Sequence, residues 1–357
     1  MKNIHFPLFK TKIEKLRHRF DLSDPKERKK YFHAKAGKEI VKLRKYLKKN
    51  TFVGYLLGKK NSGKGTYSKL FMEAIGEEHV QHISVGDVVR DMFAALSSKK
   101  RKKELVDFLD RNYRGFHSIE ETVKLIANKN QSTLIPSELI LALIKFEISK
   151  RPKKALFIDG FPRALDQITH SLFLKEIIGY REDPDFFIFI EVPEAVIDER
   201  MKSRVVCPIC KTPRGLKLLT TKRVGYDEDM KQFYLICDTP SCAGERMVAK
   251  EGDELGIEPI RQRLELDDQI FRRLMALRGI PRISLRNSIP VTQAKKYVDD
   301  YEITPAYDYR RDQHTGKVIT SQKPWTVKDD DGVRSYSLLP AAIVVALIKQ
   351  IVEVLGL

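Results

Sequence analysis

The chain has 357 residues, 42% of them hydrophobic and 32% charged, enough for roughly two domains and a large buried core. No stretch reaches the ~18 apolar residues a membrane span requires, and no apolar run follows the basic start. A spanning helix and a signal peptide are therefore not expected; a cytoplasmic location is. Net charge is +18, and residues 1–50 hold 17 Lys/Arg against 5 Asp/Glu, a net +12. That imbalance suits an arm that binds a polyanion such as RNA or a ribosome, with a solvated helical face as the plain alternative.

In chain order, residues 1–50 read as two basic helices. Asp24 is expected to cap the second, with Pro25 at the first helical position and Glu27 completing a capping box. Ile40, Leu43 and Leu47 repeat at helical spacing, so this helix should dock on another element. Thr51–Leu57 is a short apolar run that ends in a glycine-rich loop. Similar runs recur at Lys154–Ile158, Phe186–Val192 and Arg282–Ile289 with helical patterns between them, which predicts an α/β domain with a buried parallel sheet. Residues 91–150 read as mainly helical and polar. Residues 292–336 are rich in Tyr and Asp, with turns at His314-Thr-Gly316 and Asp330-Asp-Gly332, and carry no readable motif. A final helix presents Ile343, Leu347, Ile351 and Leu355 on one stripe.

The loop after the first run reads Gly58-Lys-Lys-Asn-Ser-Gly63-Lys64-Gly65-Thr66. Successive backbone N–H groups from Asn61, Ser62 and Gly63 onward, followed by a helix start, make a cradle for phosphate oxygens. Lys64 supplies a cation for the β/γ-phosphates. The general pattern places Ser or Thr directly after the lysine; here Gly65 intervenes and Thr66 brings the hydroxyl.

All four cysteines, Cys207, Cys210, Cys237 and Cys242, fall within one 36-residue segment. In a long chain without a secretory signal that clustering argues for a metal site over disulfides. Two thiolate pairs suit a closed, tetrahedral structural Zn²⁺ site. The 26-residue gap between the pairs and the wider second pair leave Asp238 as an alternative ligand, and four free thiols as an alternative to metal.

Gly-Lys-Gly-Thr is how adenylate kinases and their relatives write the phosphate loop, and further matches follow in family order. His82-Ile-Ser-Val-Gly-Asp-Val-Val-Arg90 resembles the opening of the family's monophosphate-binding domain. Leu156-Phe-Ile-Asp159-Gly-Phe-Pro-Arg163, with Gln167 beyond it, resembles its most recognisable signature. Arg200 and Arg204 are similar to the arginine pair at the hinge of the ATP lid, and Arg261-Gln-Arg263-Leu264 to the helix leaving that lid. The resemblance covers about residues 52 to 290.

It implies a P-loop three-layer α/β sandwich with a parallel sheet, built from residues 51–83, 151–202 and 256–357. A helical NMP-binding domain would be inserted at 84–150 and a zinc-binding lid at 203–255, with the basic extension 1–50 and the insertion 292–336 outside the family plan. It implies Mg²⁺-dependent phosphoryl transfer between ATP and a nucleoside monophosphate, AMP foremost, by a monomer. By the same resemblance Arg90 and Arg163 hold the acceptor phosphate, while Arg204 and Arg263 close over the transferring group. Arg200 covers the ATP base. Gln167 reads the acceptor base beside Val85, Leu134, Ile135, Gly160 and Phe161, and Asp159 and Asp87 orient Mg²⁺ through water. Val85 stands where adenylate kinases usually carry Thr and pyrimidine-nucleotide kinases often Ala, which leaves CMP, UMP and GMP open as acceptors. The family's arginine before the lid-exit acidic pair has no clear match; Arg246 and Lys250 are candidates. The run Lys99–Lys103 and the segment Tyr113–Glu121 lengthen the acceptor domain. The rival class is a nucleotide-switched RNA- or ribosome-associated P-loop protein.

Overall fold

The computed structural model describes residues 6–127, 135–249 and 253–357; Leu134 and Lys250 lie outside them. The chain enters through α1 (Pro25–Tyr46), then β1 (Val53–Leu57), α2 (Lys64–Ile75) and β2 (Val80–Ser84). Four helices follow, α3 (Val85–Ala95), α4 (Lys99–Asn112), α5 (Ile119–Ala127) and α6 (Ser137–Ser149). The chain continues through β3 (Ala155–Asp159), α7 (Gln167–Ile177), β4 (Asp185–Glu191) and α8 (Glu194–Lys202). The cysteine-bearing segment is built on short strands, β5 (Arg204–Val206), β6 (Pro213–Gly215), β7 (Arg223–Asp227), β8 (Gln232–Ile236) and β9 (Val248–Ala249). Helix α9 (Arg261–Ala276) and β10 (Arg282–Arg286) return to the core, followed by β11 (Ser288–Pro290) and α10 (Val291–Tyr297). Strands β12 (Pro305–Arg311), β13 (Val318–Pro324), β14 (Val327–Lys328) and β15 (Arg334–Ser337) lead to α11 (Pro340–Val354).

The central sheet has the order β10-β4-β1-β3-β2, and all its pairings are parallel. Every residue of β1 is buried, and so is nearly all of β4, which is why both read as unbroken apolar runs. Gly54 in β1 lies where a Cβ would meet Phe157 at 3.0 Å and Ile188 at 3.1 Å, so large neighbours fill its place. One apolar layer joins the sheet to α1, α2 and α11; the other joins it to α3, α6 and α9.

The N-terminal segment departs from the two-helix expectation. Residues 6–24 form no helix and lie across the core: Phe6 packs on Phe271, and the N–H groups of Thr11 and Lys12 both donate to Tyr297 O at 3.0 Å. Tertiary contacts outweigh a helical pattern that is weak on its own. Asp24 does cap α1, accepting from Lys26 N and Glu27 N. The capping box is only half formed, because the Glu27 carboxylate takes Lys30 Nζ at 2.8 Å and His18 instead. The docking expected for α1 is met by α2 and α11. Tyr31, Phe32, Ile40 and Leu43 are buried there, and Arg44 donates to Ala74 O and Ile75 O, the last carbonyls of α2. Helix α11 is therefore buried on nearly every side rather than along one stripe.

The two turns expected in 292–336 are present, closed by Gly316 at φ +67° and Gly332 at φ +81°. The β12–β13 hairpin rests on the cysteine-bearing segment. Tyr307 N donates to Lys217 O at 2.8 Å, and the Tyr309 hydroxyl reaches Leu216 O at 2.5 Å. No helix among the described residues is long and apolar enough to cross a membrane.

Candidate active site

Between β1 and α2 the chain has to turn sharply against β4. A Cβ on Gly58 would meet Ile190 O at 2.8 Å, so only glycine passes there. Gly63, at φ +97°, and Asn61, at φ +66°, both adopt the left-handed conformation, which asparagine tolerates better than most residues. No side chain caps α2, so its first N–H groups and its dipole face the loop. Lys64 Nζ donates to Gly58 O at 2.9 Å and Lys59 O at 3.0 Å, and stands 3.9 Å from Asp159 Oδ1. Ser62 is buried, while Gly65 and the exposed Thr66 lie in the first turn of α2.

Beside the loop is a cleft of about 250 Å³, lined among others by Asn61, Lys64, Arg90, Asp159, Arg163 and Arg263. Gly160 also lines it. Residues from four separate stretches meet here because β1, β2 and β3 are parallel and end together; Ser84 and Asp159 are directly in register. The forks of two arginines converge over the first turn of α3: a Cβ on Gly86 would lie 3.5 Å from Arg90 Nη1 and 3.9 Å from Arg163 Nη1. Arg263 pairs with Asp267 at 2.7 Å and donates to Arg163 O at 3.0 Å. Burial holds Arg263 below the ordinary arginine range; Asp267 opposes this and the charge of Arg163 adds to it. Among the described residues Arg163 has no carboxylate within 4 Å. The cleft thus gathers more positive charge than its own acids balance, which is the electrostatic signature of an anion site.

Arg204 joins the cleft indirectly. It donates to Asn61 Oδ1 at 2.9 Å and forms a two-pronged pair with Asp253. Arg200 lies elsewhere, donating to Asn287 Oδ1 at 3.0 Å in a buried network with Ser337. Asp87 is on the surface, paired with Arg90. Val85 and Phe161 are buried in the core, and Ile135 packs against it. Gln167 is buried, with Oε1 accepting from Arg163 N at 2.8 Å. Arg246 pairs with Asp227 at 2.6 Å and stacks 4.1 Å from the Tyr234 ring. Asp267 and Asp253 escaped the sequence reading. Asp267 stands one helical turn after Arg263 and also accepts from Lys60 N at 3.1 Å, a spacing that could have revealed it.

The four cysteines come together, their sulfurs all within 4.8 Å of one another and Cys210 Sγ 3.7 Å from Cys237 Sγ. Tetrahedral zinc with bonds of about 2.3 Å sets sulfurs about 3.8 Å apart, so the cluster fits that ion. The Thr212 hydroxyl and N–H lower the Cys210 thiol to about 5, while burial and the neighbouring thiols push Cys242 up to about 12, so the cluster ionises in part and needs a cation to ionise fully. Cys242 completes the group of four sulfurs, while the Asp238 carboxylate accepts from Lys222 N at 3.1 Å.

Residues 57–206 match the family model of a domain described as an AAA domain. The chain is 31% identical to an adenylate kinase of Kosmotoga olearia over 170 residues, 47% of this chain and 65% of that protein. It is 30% identical to an adenylate kinase of Thermosipho africanus over 161 residues, 43% and 60% of the two chains. With an adenylate kinase of Clostridium acetobutylicum it shares 29% identity over 215 residues, 60% of this chain and 80% of the relative. The chain thus spans slightly less than two thirds of the first two relatives.

Proposed function

Because the chain belongs to the adenylate kinase family, we propose that it transfers a phosphoryl group from ATP to a nucleoside monophosphate, AMP foremost. The observation that carries this reading is the convergence of Arg90, Arg163 and Arg263 beside the Lys64 loop, with no carboxylate within 4 Å of Arg163 among the described residues. Arg90 and Arg163 grip the acceptor phosphate bidentately. Lys64 and the loop N–H groups hold the donor phosphates. Arg263 and Arg204 supply positive charge to the group in flight. Each guanidinium keeps its charge throughout, so no proton has to move for the cradle to work. Asp159, with the Thr66 hydroxyl, offers the oxygen donors that suit hydrated Mg²⁺, which neutralises developing phosphate charge when bound.

Base choice follows from Gln167. Its oxygen is occupied by Arg163 N–H, which leaves the amide NH₂ as a donor toward a ligand. A donor matches the ring acceptor nitrogens of adenine and cytosine and opposes the N–H groups of guanine and uracil. Val85, apolar and buried, adds no hydrogen bond. A coupled assay with ATP and each monophosphate should give turnover in the order AMP, then CMP, with GMP and UMP slower by about 100-fold or more. If ATP is bound tightly and none of the four is phosphorylated, the reading fails.

The Cys207–Cys242 cluster holds a structural zinc in this reading, and the folded segment closes over ATP to exclude water. The double variant Cys207→Ser, Cys210→Ser is expected to purify without its equivalent of zinc and to be cut by protease within residues 203–255. Unchanged metal content would exclude the site.

A further inference from the structure

The lysines of α1 are not an arm but a fixed ridge. Its apolar side is buried on α2 and α11, while Lys38, Lys42 and Lys45 on the helix, and Lys48 and Lys49 in the turn after it, are exposed. None of the five has a carboxylate within 4 Å among the described residues. At 1.5 Å per residue the ridge runs about 16 Å. It continues beyond the helix. Thr51 is hydrogen-bonded to Asp183, which pairs with Lys153 at 2.6 Å; Lys153 lies over the Tyr180 ring, and Lys150 over Phe146. Lys150 also pairs with Glu147 at 4.0 Å, and its charged neighbours include both Arg101 of the exposed run Lys99–Lys103 and Glu104. That run occupies the first turn of α4, which holds no acidic residue and where the helix dipole disfavours cations.

These basic stretches precede β1 and β3 and so surround the N-terminal edge of the sheet. The phosphate loop follows the other end of β1, roughly 17 Å away at strand rise. Repulsion among the α1 ridge lysines, which have no carboxylate within 4 Å among the described residues, is relieved by a regularly spaced polyanion. We propose that this edge is a docking face for the phosphodiester backbone of RNA, used without base readout and without entering the catalytic cleft. A membrane surface suits it less, because the apolar side of α1 is spent in the core and only Val41 stands exposed among the ridge lysines. The proposal stands whether or not the phosphoryl-transfer reading does.

Removing residues 1–50 would take away Tyr31 and Phe32 and uncover the apolar sides of α2 and α11 that they cover, so the test reverses charge instead. Binding of the full chain to a labelled mixed-sequence RNA of about 20 nucleotides is followed as salt rises from about 50 to 200 mM. The variant Lys42→Glu, Lys45→Glu, Lys49→Glu should bind at least tenfold more weakly at the lowest salt. Its log–log salt slope should be shallower by about 2, while melting temperature and phosphotransfer turnover stay unchanged. A control with the same charge change at exposed sites, Lys295→Glu, Lys317→Glu, Lys328→Glu, should bind as the parent does. The proposal is overturned by absent binding at about 50 mM salt, by equal losses in both variants, or by capture on phosphatidylserine vesicles without RNA binding.

Discussion

Lys64→Ala should lower phosphotransfer turnover by at least 10³-fold while the protein stays folded. The ammonium already sits in a nest of two loop carbonyls and 3.9 Å from Asp159, so it holds the loop and faces the incoming phosphates with little reorganisation. Losing a charge aimed at the transferring group costs about 4 kcal/mol of transition-state stabilisation for each 10³ in rate. The two lost bonds to carbonyls on the cleft rim cost about 1 kcal/mol each, too little to unfold a chain of this size. Lys64→Arg should not rescue, because a planar fork does not fit a nest made for a point charge. A companion, Asn61→Gly, separates charge from geometry. Glycine keeps the left-handed backbone at φ +66° but removes the amide that orients Arg204 at 2.9 Å. It should lower kcat by about 10-fold with KM for the monophosphate unchanged and stability retained. Turnover of Lys64→Ala within tenfold of the parent would remove the loop from the mechanism.

The loop was legible because its chemistry is backbone chemistry: glycines at fixed offsets are required by turns and close approaches that nothing else satisfies. The buried runs of β1, β3 and β4 were legible because burial on both faces leaves an unbroken apolar string. Strand β2 was not; at the sheet edge it mixes buried Val80, Gln81 and Ile83 with half-buried His82 and Ser84, and the segment from His82 read instead as the opening of the monophosphate-binding domain. Distances across the chain were invisible as well. Spacing could suggest that Cys237 and Cys242 form a pair, but not that Asp238 turns away to Lys222. Net charge could mark residues 1–50 as basic, but not that α1 spends its apolar side on α11 and fixes its lysines in place.

The same contact sets the second large expectation, one of stability. Lys35 on α1 is fully buried, donating to Asp299 Oδ2 at 2.6 Å and Thr11 O at 3.0 Å, with Glu302 3.6 Å away. Glu302, also fully buried, accepts from Thr11 Oγ1 at 2.7 Å, Tyr31 OH at 2.5 Å and Asp299 N at 2.7 Å. Burial, with the Glu302 charge beside it, drives the Tyr31 hydroxyl well above the ordinary tyrosine range, so it stays a donor. The network joins the N-terminal segment, α1 and the root of the insertion, none of which the family plan contains. Lys35→Met keeps the stem and removes the charge, leaving two buried carboxylates without their cation. The expected loss is about 3 to 5 kcal/mol, or roughly 5 °C in Tm for a chain of this length. Adding Glu302→Gln removes one of the stranded charges and should recover about 2 kcal/mol, which a double-mutant cycle reads as coupling. The β12–β13 hairpin stands on this root and touches the cysteine-bearing segment through Tyr307 and Tyr309, so Lys35→Met should also speed protease cutting near Lys217. A loss below about 1 kcal/mol, or a double variant no more stable than Lys35→Met alone, would show that solvent relaxes the cluster and that it does not fasten the extension to the core.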